Sequence, residues 1–299
     1  MAAPRTAGIG EQHIAPRRDP TVSCPDTTGD GRAVPTAEGQ GNFDMADMVT
    51  VAGVDLEIEQ RGSGWPVLVL HGGEGLGAER PWLDGLAKTR RVIAPSHPGF
   101  GRSALPDWVG TVDDLAYLYL DLLAALDLRE VTVVGASFGG WIAAEMLVRS
   151  TARVSHLVLA APLGIKVGGR GDRDIADMHA MTRDVFLDHA FADLTVGRID
   201  ATKLSDIELA AIVRGREALT LFGWKPYMYN PRLKRWLHRI DCPTLLLWGD
   251  KDGIVTPAYG EGWKSEIKGA RLELIKNCGH FPLWERPEDT IRHITAFTA

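Results

Sequence analysis

The chain has 299 residues, of which 45% are hydrophobic and 24% are charged, and its formal net charge at pH 7 is −6. This composition is typical of a soluble globular protein, and the acidic balance argues against binding to nucleic acid or to an anionic membrane surface. No run of about 18 apolar residues is present, so no membrane-spanning helix is expected. The three cysteines, Cys24, Cys242 and Cys278, are far apart and odd in number, which favours a reducing, cytoplasmic location over a disulfide framework. The oligomeric state is left open.

The first 44 residues differ from the rest of the chain. They are rich in Pro, Gly, Thr, Asp and Arg, have almost no apolar periodicity, and lack the apolar core of a secretory signal. Such a segment buries too little apolar surface to fold. We therefore expect residues 1–44 to form a disordered tail, and Met45 or Met48 to be a possible natural start.

Strands and helices alternate from residue 48 onward. Residues 48–51 and 56–61 read as an edge hairpin around Gly53, and apolar strands are expected at 67–70 and 91–95. A short helix is predicted over 81–88. Thr111 and Asp114 predict a capped helix whose leucines recur on one face.

The stretch from Val131 to Gly140 is the most informative of the sequence. Its first half is β-branched and apolar, as in a strand buried on both faces, and a helical pattern follows from Trp141. Between them, Gly135 and Gly139 lie two residues on either side of Ser137. Gly-x-Ser-x-Gly between a strand and a helix is the nucleophile elbow, in which the serine is exposed at the sheet edge.

The alternation stops after a strand predicted at 154–160. Residues 163–240 are helical and polar in pattern, and alternation resumes with a strand at 244–248, a helix at about 257–267, a strand at 271–275 and a helix from 287. We expect residues 45–162 and 241–299 to form an α/β core. Residues 163–240 would form a helical cap over the carboxyl ends of the strands, where ligands bind in such sheets.

A serine needs a base to take its proton and an acid to orient that base. His280 directly follows the last predicted strand, and Asp250 and Asp252 both follow the strand before it. The order Ser, Asp, His agrees with that of hydrolases built around an elbow. Either aspartate fits by position.

No motif for a metal or a cofactor is found. The sequence contains no His-Glu-x-x-His and no Cys-x-x-Cys, and the glycine-rich loop at 72–77 lacks both dinucleotide spacing and a P-loop lysine. Neither a metal nor a cofactor is expected, and the expected partner is a small-molecule substrate.

From about residue 48 to its end, the chain resembles the α/β-hydrolase superfamily, in the branch with a helical cap between the sixth and seventh core strands. The matching stretches are His71-Gly72-Gly73, Pro98-Gly99-Phe100-Gly101-Arg102-Ser103, Gly135-Ala136-Ser137-Phe138-Gly139-Gly140, Trp248-Gly249-Asp250-Lys251-Asp252 and Gly279-His280-Phe281. The resemblance implies a mostly parallel sheet flanked by helices.

The same resemblance implies a role for each site residue. Ser137 would be the nucleophile, His280 the general base and Asp252 the acid that orients it. The N–H groups of Gly73 and Phe138 would form the oxyanion hole. Members of the superfamily that open epoxides or remove halides use an aspartate at the elbow, so Ser137 argues against those activities.

We expect a serine hydrolase that cleaves an acyl bond, most simply a carboxylic ester of a small, mostly apolar substrate. Trp224, Tyr227 and Tyr229, near the end of the cap, are the candidates for lining its pocket. Glu74 would disfavour anionic substrates if it faced the pocket, although a solvent-facing position is the simpler expectation.

Two alternatives remain open. The same triad would serve a perhydrolase or an enzyme that cleaves a carbon–carbon bond next to a ketone. Superfamily members of the carbon–carbon type have a tryptophan after the histidine, where this chain has Phe281. A non-catalytic receptor for a small molecule is the alternative from another class.

Overall fold

Eight strands form a single sheet in the part of the chain that the structure describes. The structure is a computed structural model and describes residues 46–198 and 200–299, so the predicted tail, residues 1–44, lies outside the described residues. The strands are β1 (Asp47–Val51), β2 (Val54–Arg61), β3 (Pro66–Leu70), β4 (Arg91–Pro95), β5 (Val131–Ala136), β6 (Val154–Ala160), β7 (Thr244–Gly249) and β8 (Arg271–Ile275).

The sheet is mostly parallel. Its order is β1-β2-β4-β3-β5-β6-β7-β8. Only the pairs β1–β2 and β2–β4 are antiparallel, and every pair from β4 to β8 is parallel. The β1–β2 hairpin turns through Ala52 and Gly53, both with positive φ, and it forms the sheet edge as predicted.

Helices cover both faces of the sheet. They are α1 (Arg80–Ala87), α2 (Val112–Ala125), α3 (Ser137–Arg149), α4 (Arg183–Ala190), α5 (Leu194–Gly197), α6 (Asp206–Gly223), α7 (Pro257–Glu266), α8 (Pro282–Glu285) and α9 (Pro287–Phe297). Side chains of α1 and α9 pack with one face of the central strands, and those of α2, α3 and α7 pack with the other. Because parallel strands covered on both faces read as continuous apolar runs, β3 and β5 were recognisable in the sequence. The four-residue helix α8 was not predicted.

Helix α2 begins as predicted. The side chain of Thr111 accepts the N–H of Asp114, and the carboxylate of Asp114 accepts the N–H of Thr111, which completes a capping box. Its buried face includes Leu115, Leu118 and Leu122. The capped helix thus packs an apolar face against α3 and the sheet.

The segment between β6 and β7, residues 163–240, is called the cap below. It contains α4, α5, α6 and two short 3-10 helices. Its two ends meet beside the elbow: Leu163 N–H donates to the Ser137 carbonyl, and Asn230 N–H donates to the Gly164 carbonyl. Within residues 46–198 and 200–299, no helix combines the length and apolar character that crossing a bilayer requires.

Candidate active site

Ser137 occupies a strained turn between β5 and α3. Its φ is 48°, in the left-handed region that residues other than glycine rarely adopt. The two flanking glycines explain how the turn closes: a Cβ on Gly135 would lie 2.6 Å from the Gly139 carbonyl oxygen, and a Cβ on Gly139 would lie 2.0 Å from the Leu70 carbonyl oxygen. Only glycine fits at either position, so the sequence pattern is a direct consequence of the backbone approach.

Ser137, His280 and Asp252 form a continuous hydrogen-bonded chain. The Ser137 Oγ lies 2.8 Å from His280 Nε2, and His280 Nδ1 lies 2.9 Å from Asp252 Oδ2. A carboxylate only accepts hydrogen bonds, so the imidazole proton is on Nδ1 and Nε2 is left to accept the serine hydroxyl proton. All three residues are buried. This is the arrangement in which an imidazole can remove a hydroxyl proton.

The geometry distinguishes the two aspartates that fit by sequence. Asp252 Oδ1 accepts the N–H groups of Ile254 and Val255 at 2.9 and 3.0 Å, while its Oδ2 faces the imidazole. Asp250 instead accepts the N–H of Cys278 at 3.4 Å. Asp252 therefore contacts His280, and Asp250 links the two loops that follow β7 and β8.

Two backbone N–H groups are candidates for holding a negative oxygen near Ser137. Phe138 is the second residue of α3, and the first N–H groups of a helix have no partner within it. Gly73 follows Gly72, whose carbonyl accepts His71 Nδ1–H at 2.6 Å. Because a trans peptide is planar, its N–H points opposite to its C=O. The Gly73 N–H therefore points away from the buried His71 ring.

A buried network lies behind this loop. The N–H of His97 donates to His71 Nε2 at 3.0 Å, and His97 Nε2–H donates to the His71 carbonyl at 2.9 Å. His97 Nδ1 then accepts the hydroxyl of Tyr119 at 2.5 Å. Burial lowers the pKa of His71 to about 4, and burial together with the neighbouring His71 holds the pKa of His97 well below its usual value. Both rings are thus neutral, and sequence reasoning assigned no role to His97 or Tyr119.

A narrow cavity of about 10 Å³, room for about one water molecule, opens over Ser137. Besides Ser137 and His280, its lining consists of Gly72, Glu74, Gly75, Ala136, Phe281, Pro282, Leu283 and Trp284. The lining is mostly apolar, and Glu74, an exposed residue, contributes the only carboxylate among the lining residues that the structure describes. No lysine or arginine is among these residues.

The three cap residues expected in the pocket lie elsewhere. Trp224 is 61% exposed and packs its ring edge-on to His179. The Tyr227 hydroxyl accepts the N–H of Met178 and donates to the Ala176 carbonyl. The backbone of Tyr229 forms an isolated β-bridge with that of Gly164. Both tyrosines line a second, charged cavity within the cap, and none of the three lines the cavity over Ser137. The expectation that Trp224, Tyr227 and Tyr229 line the pocket is therefore corrected. Residues 281–284, which directly follow His280, line the cavity over Ser137 instead.

Comparison with known proteins agrees with this architecture. A family model described as the alpha/beta hydrolase fold matches residues 66–287. A 2-hydroxymuconate semialdehyde hydrolase of Pseudomonas sp. strain CF600 is 35% identical, over 85% of this chain and 92% of that protein. A pimeloyl-[acyl-carrier protein] methyl ester esterase of Nitrosospira multiformis is 28% identical, over 82% of this chain and 98% of that protein. The predicted fold is thus confirmed.

A solved structure shows the same fold. The crystal structure of a membrane phospholipase A, described as a bacterial virulence factor, superposes with a TM-score of 0.68. It is 26% identical, and the match covers 84% of each chain. The similarity therefore extends across both the sheet and the segment inserted into it.

Proposed function

The chain belongs to the α/β-hydrolase family, and we propose that it hydrolyses an acyl bond, most simply a carboxylic ester of a mostly apolar substrate, with Ser137 as the nucleophile. One observation carries the proposal. The hydrogen bonds from Asp252 through His280 to Ser137 are continuous, and they end at a serine held in a strained turn at the floor of a cavity.

The mechanism follows from this geometry. His280 Nε2 removes the Ser137 proton as Oγ attacks the acyl carbonyl, and the resulting imidazolium is stabilised by Asp252. The negative oxygen of the tetrahedral intermediate is held by the N–H groups of Phe138 and Gly73. Each such donor contributes roughly 3–4 kcal/mol in a well-studied serine protease. His280 then protonates the leaving alcohol, and a water activated by the same imidazole hydrolyses the acyl-enzyme.

A burst experiment tests this function. Mixed with an activated neutral ester, the protein is expected to release one equivalent of alcohol rapidly and then to turn over steadily, provided that deacylation is slower than acylation. Saturable binding without any turnover across a panel of neutral esters would contradict the proposal. That result would favour the alternative of a non-catalytic receptor.

A second candidate is cleavage of a carbon–carbon bond next to a ketone by the same three residues. The relative named for 2-hydroxymuconate semialdehyde favours it, because that compound contains no ester bond. It does carry a carboxylate, however, and the described residues that line the Ser137 cavity include Glu74 and neither lysine nor arginine. Like charges repel, so this cavity favours neutral substrates over carboxylates. The residue after His280 is also Phe281, where carbon–carbon enzymes of the superfamily have a tryptophan, and this too disfavours the second candidate.

Glu74→Gln tests whether the charge of Glu74 disfavours anionic substrates. The change removes the negative charge at the cavity while keeping the size of the side chain. We expect kcat/KM for an anionic hemisuccinate ester to rise about fivefold, the equivalent of about 1 kcal/mol at a partly solvated site, with no change for a neutral ester. Glu130→Gln is the matched control, since Glu130 is exposed just before β5, at the opposite end of that strand from Ser137. Faster hydrolysis of a 2-hydroxy-6-oxo-dienoate than of any ester by the unmodified protein would favour the second candidate instead.

A further inference from the structure

The end of helix α4 contacts both loops that carry the candidate acid and base. The carbonyl of His189 accepts the N–H of Gly253 at 2.8 Å, and the next carbonyl, that of Ala190, accepts the N–H of His280 at 2.7 Å. Gly253 directly follows Asp252. Two successive carbonyls of the cap therefore hold the backbone beside the acid and the backbone of the base itself.

The sequence accommodates this contact with glycines. A Cβ on Gly279 would lie 2.3 Å from the Ala190 carbonyl oxygen, and a Cβ on Gly253 would lie 2.9 Å from the His189 carbonyl oxygen. Real Cβ atoms are not found that close to a backbone oxygen. Close packing of the cap against these two loops is thus built into the sequence.

Glu285 completes the contact from the core side. Its carboxylate is buried, with Oε1 accepting the N–H of Gly279 and Oε2 accepting the N–H of Ala192, both at 2.8 Å. One oxygen therefore holds the residue before His280, and the other holds the cap. Burial raises the pKa of this carboxyl, against the opposing effect of the backbone N–H groups of Ala192 and Gly279.

We propose that Glu285 is a positioning residue that keeps His280 in register with Ser137 and Asp252 by joining the base loop to the end of α4. The inference rests on the proposed function of Ser137 and His280. The position of the imidazole depends on the backbone of residues 279 and 280, and this backbone is held from the cap by the Ala190 carbonyl and from the core by Glu285. A displacement of about 1 Å from a productive geometry costs on the order of 100-fold in rate.

Glu285→Gln tests the proposal, because an amide offers one acceptor where the carboxylate offers two. One of the two N–H groups then faces an NH₂ group, so the contact between the base loop and the cap loosens while the side chain keeps its size. We expect kcat per active site, counted by the burst, to fall about 10- to 100-fold, with KM for a neutral ester within about twofold of the unmodified value. Glu288→Gln is the control: Glu288 is an exposed carboxylate in the first turn of α9, and its replacement should change neither constant. A kcat per active site within about twofold of the unmodified value would overturn the proposal, even if the melting temperature fell.

A second variant leaves the buried carboxylate in place. Ala192→Pro removes the N–H that donates to Glu285, at an exposed position preceded by a residue that is already extended, with φ −125° and ψ 136°. Ala192→Pro should also lower kcat, and an unchanged kcat would again contradict the proposal. Should Glu285→Gln not fold, this variant decides.

Hydrogen exchange of the unmodified protein gives a test that needs no activity. If Glu285 joins the two segments, those containing Ala192 and Gly279 should open together, and their amide N–H groups should show similar protection from exchange. Protection factors that differ by more than about tenfold would show that the segments open separately, contrary to the proposal. Because this measurement requires no substrate, failure of the junction and failure of the proposed hydrolysis are distinguishable.

Discussion

Asp252 contacts His280 through one carboxylate oxygen and its own loop through the other. Oδ2 accepts His280 Nδ1–H at 2.9 Å, while Oδ1 accepts the N–H groups of Ile254 and Val255. The loop bonds fix the rotation of the carboxylate, and the carboxylate in turn fixes the ring and its tautomer. The imidazole is thereby oriented before any substrate binds.

The first prediction compares Asp252→Asn with Asp250→Asn. An amide nitrogen at the Oδ2 position of Asp252 would donate to Nδ1, place the ring proton on Nε2 and prevent it from accepting the serine proton. We expect kcat to fall by up to about 10⁴, the loss measured for the same change in a serine protease. Asp250→Asn should keep most of the rate and lose about 1 kcal/mol of unfolding free energy through its weakened bond to Cys278 N–H. If Asp250→Asn is the inactive variant, the assignment of the acid is wrong.

The second prediction compares two tryptophans. Trp284 lines the cavity over Ser137, whereas Trp224 is 61% exposed and lines neither that cavity nor the one in the cap. Trp284→Ala enlarges the cavity, so the ratio of kcat/KM for octanoyl over butyryl esters should rise, by about fourfold for each methylene that becomes buried. Trp224→Ala should leave the ratio unchanged. If the ratio changes in Trp224→Ala and not in Trp284→Ala, the cap residue and not Trp284 selects the acyl chain, and the prediction is wrong.

The third prediction concerns the dependence of stability on pH. Burial lowers the pKa of His71 to about 4 and that of His97 well below its usual value, so between pH 6.5 and 4 the unfolded chain binds more protons at these residues than the folded chain. The free energy of unfolding should therefore fall on acidification through this window, by up to about 1.4 kcal/mol per pH unit for each histidine. Glu285, whose pKa is raised by burial, contributes with the opposite sign.

His71→Asn removes the contribution of His71 and also the part of the lowering of the His97 pKa that His71 causes. The Asn amide N–H replaces Nδ1–H as the donor to Gly72 and does not titrate. Urea unfolding at pH 7 and at pH 5 should show a smaller loss of stability in this variant than in the unmodified protein. An equal loss in the two proteins would show that His71 does not titrate as its burial requires.

Much of the fold could be predicted because it depends on local patterns. Strands β3, β4 and β5 are apolar runs, α2 begins with a capping box, and Ser137 lies between glycines that the backbone requires. The candidate triad could be found because each member follows a strand, and parallel strands end at one edge of the sheet. Position alone left Asp250 and Asp252 equivalent; the family resemblance favoured Asp252, and the geometry places Asp252 against His280.

The cavity and its supports could not be predicted because they depend on tertiary packing. Tyr119 reaches His97 from 22 residues away, and Glu285 reaches the cap across 93 residues. Helix α8, which brings Leu283 and Trp284 to the cavity, has four residues and leaves no periodicity to detect. Aromatic residues near the end of the cap suggested a pocket because of their type. The backbone of residues 176 and 178 satisfies the Tyr227 hydroxyl instead, and Tyr229 lines the second cavity.

The most direct test of the account is the fate of Ser137 during turnover. Quenched in acid during the burst with a neutral ester, the unmodified protein should gain the mass of one acyl group, located by peptide mapping on Ser137. Ser137→Ala should gain no mass, lose activity by more than about 10³-fold and keep its melting temperature, because only a hydroxyl at the cavity floor is removed. An acyl group on another residue, or more than a few per cent of the activity left in Ser137→Ala, would contradict the central claim.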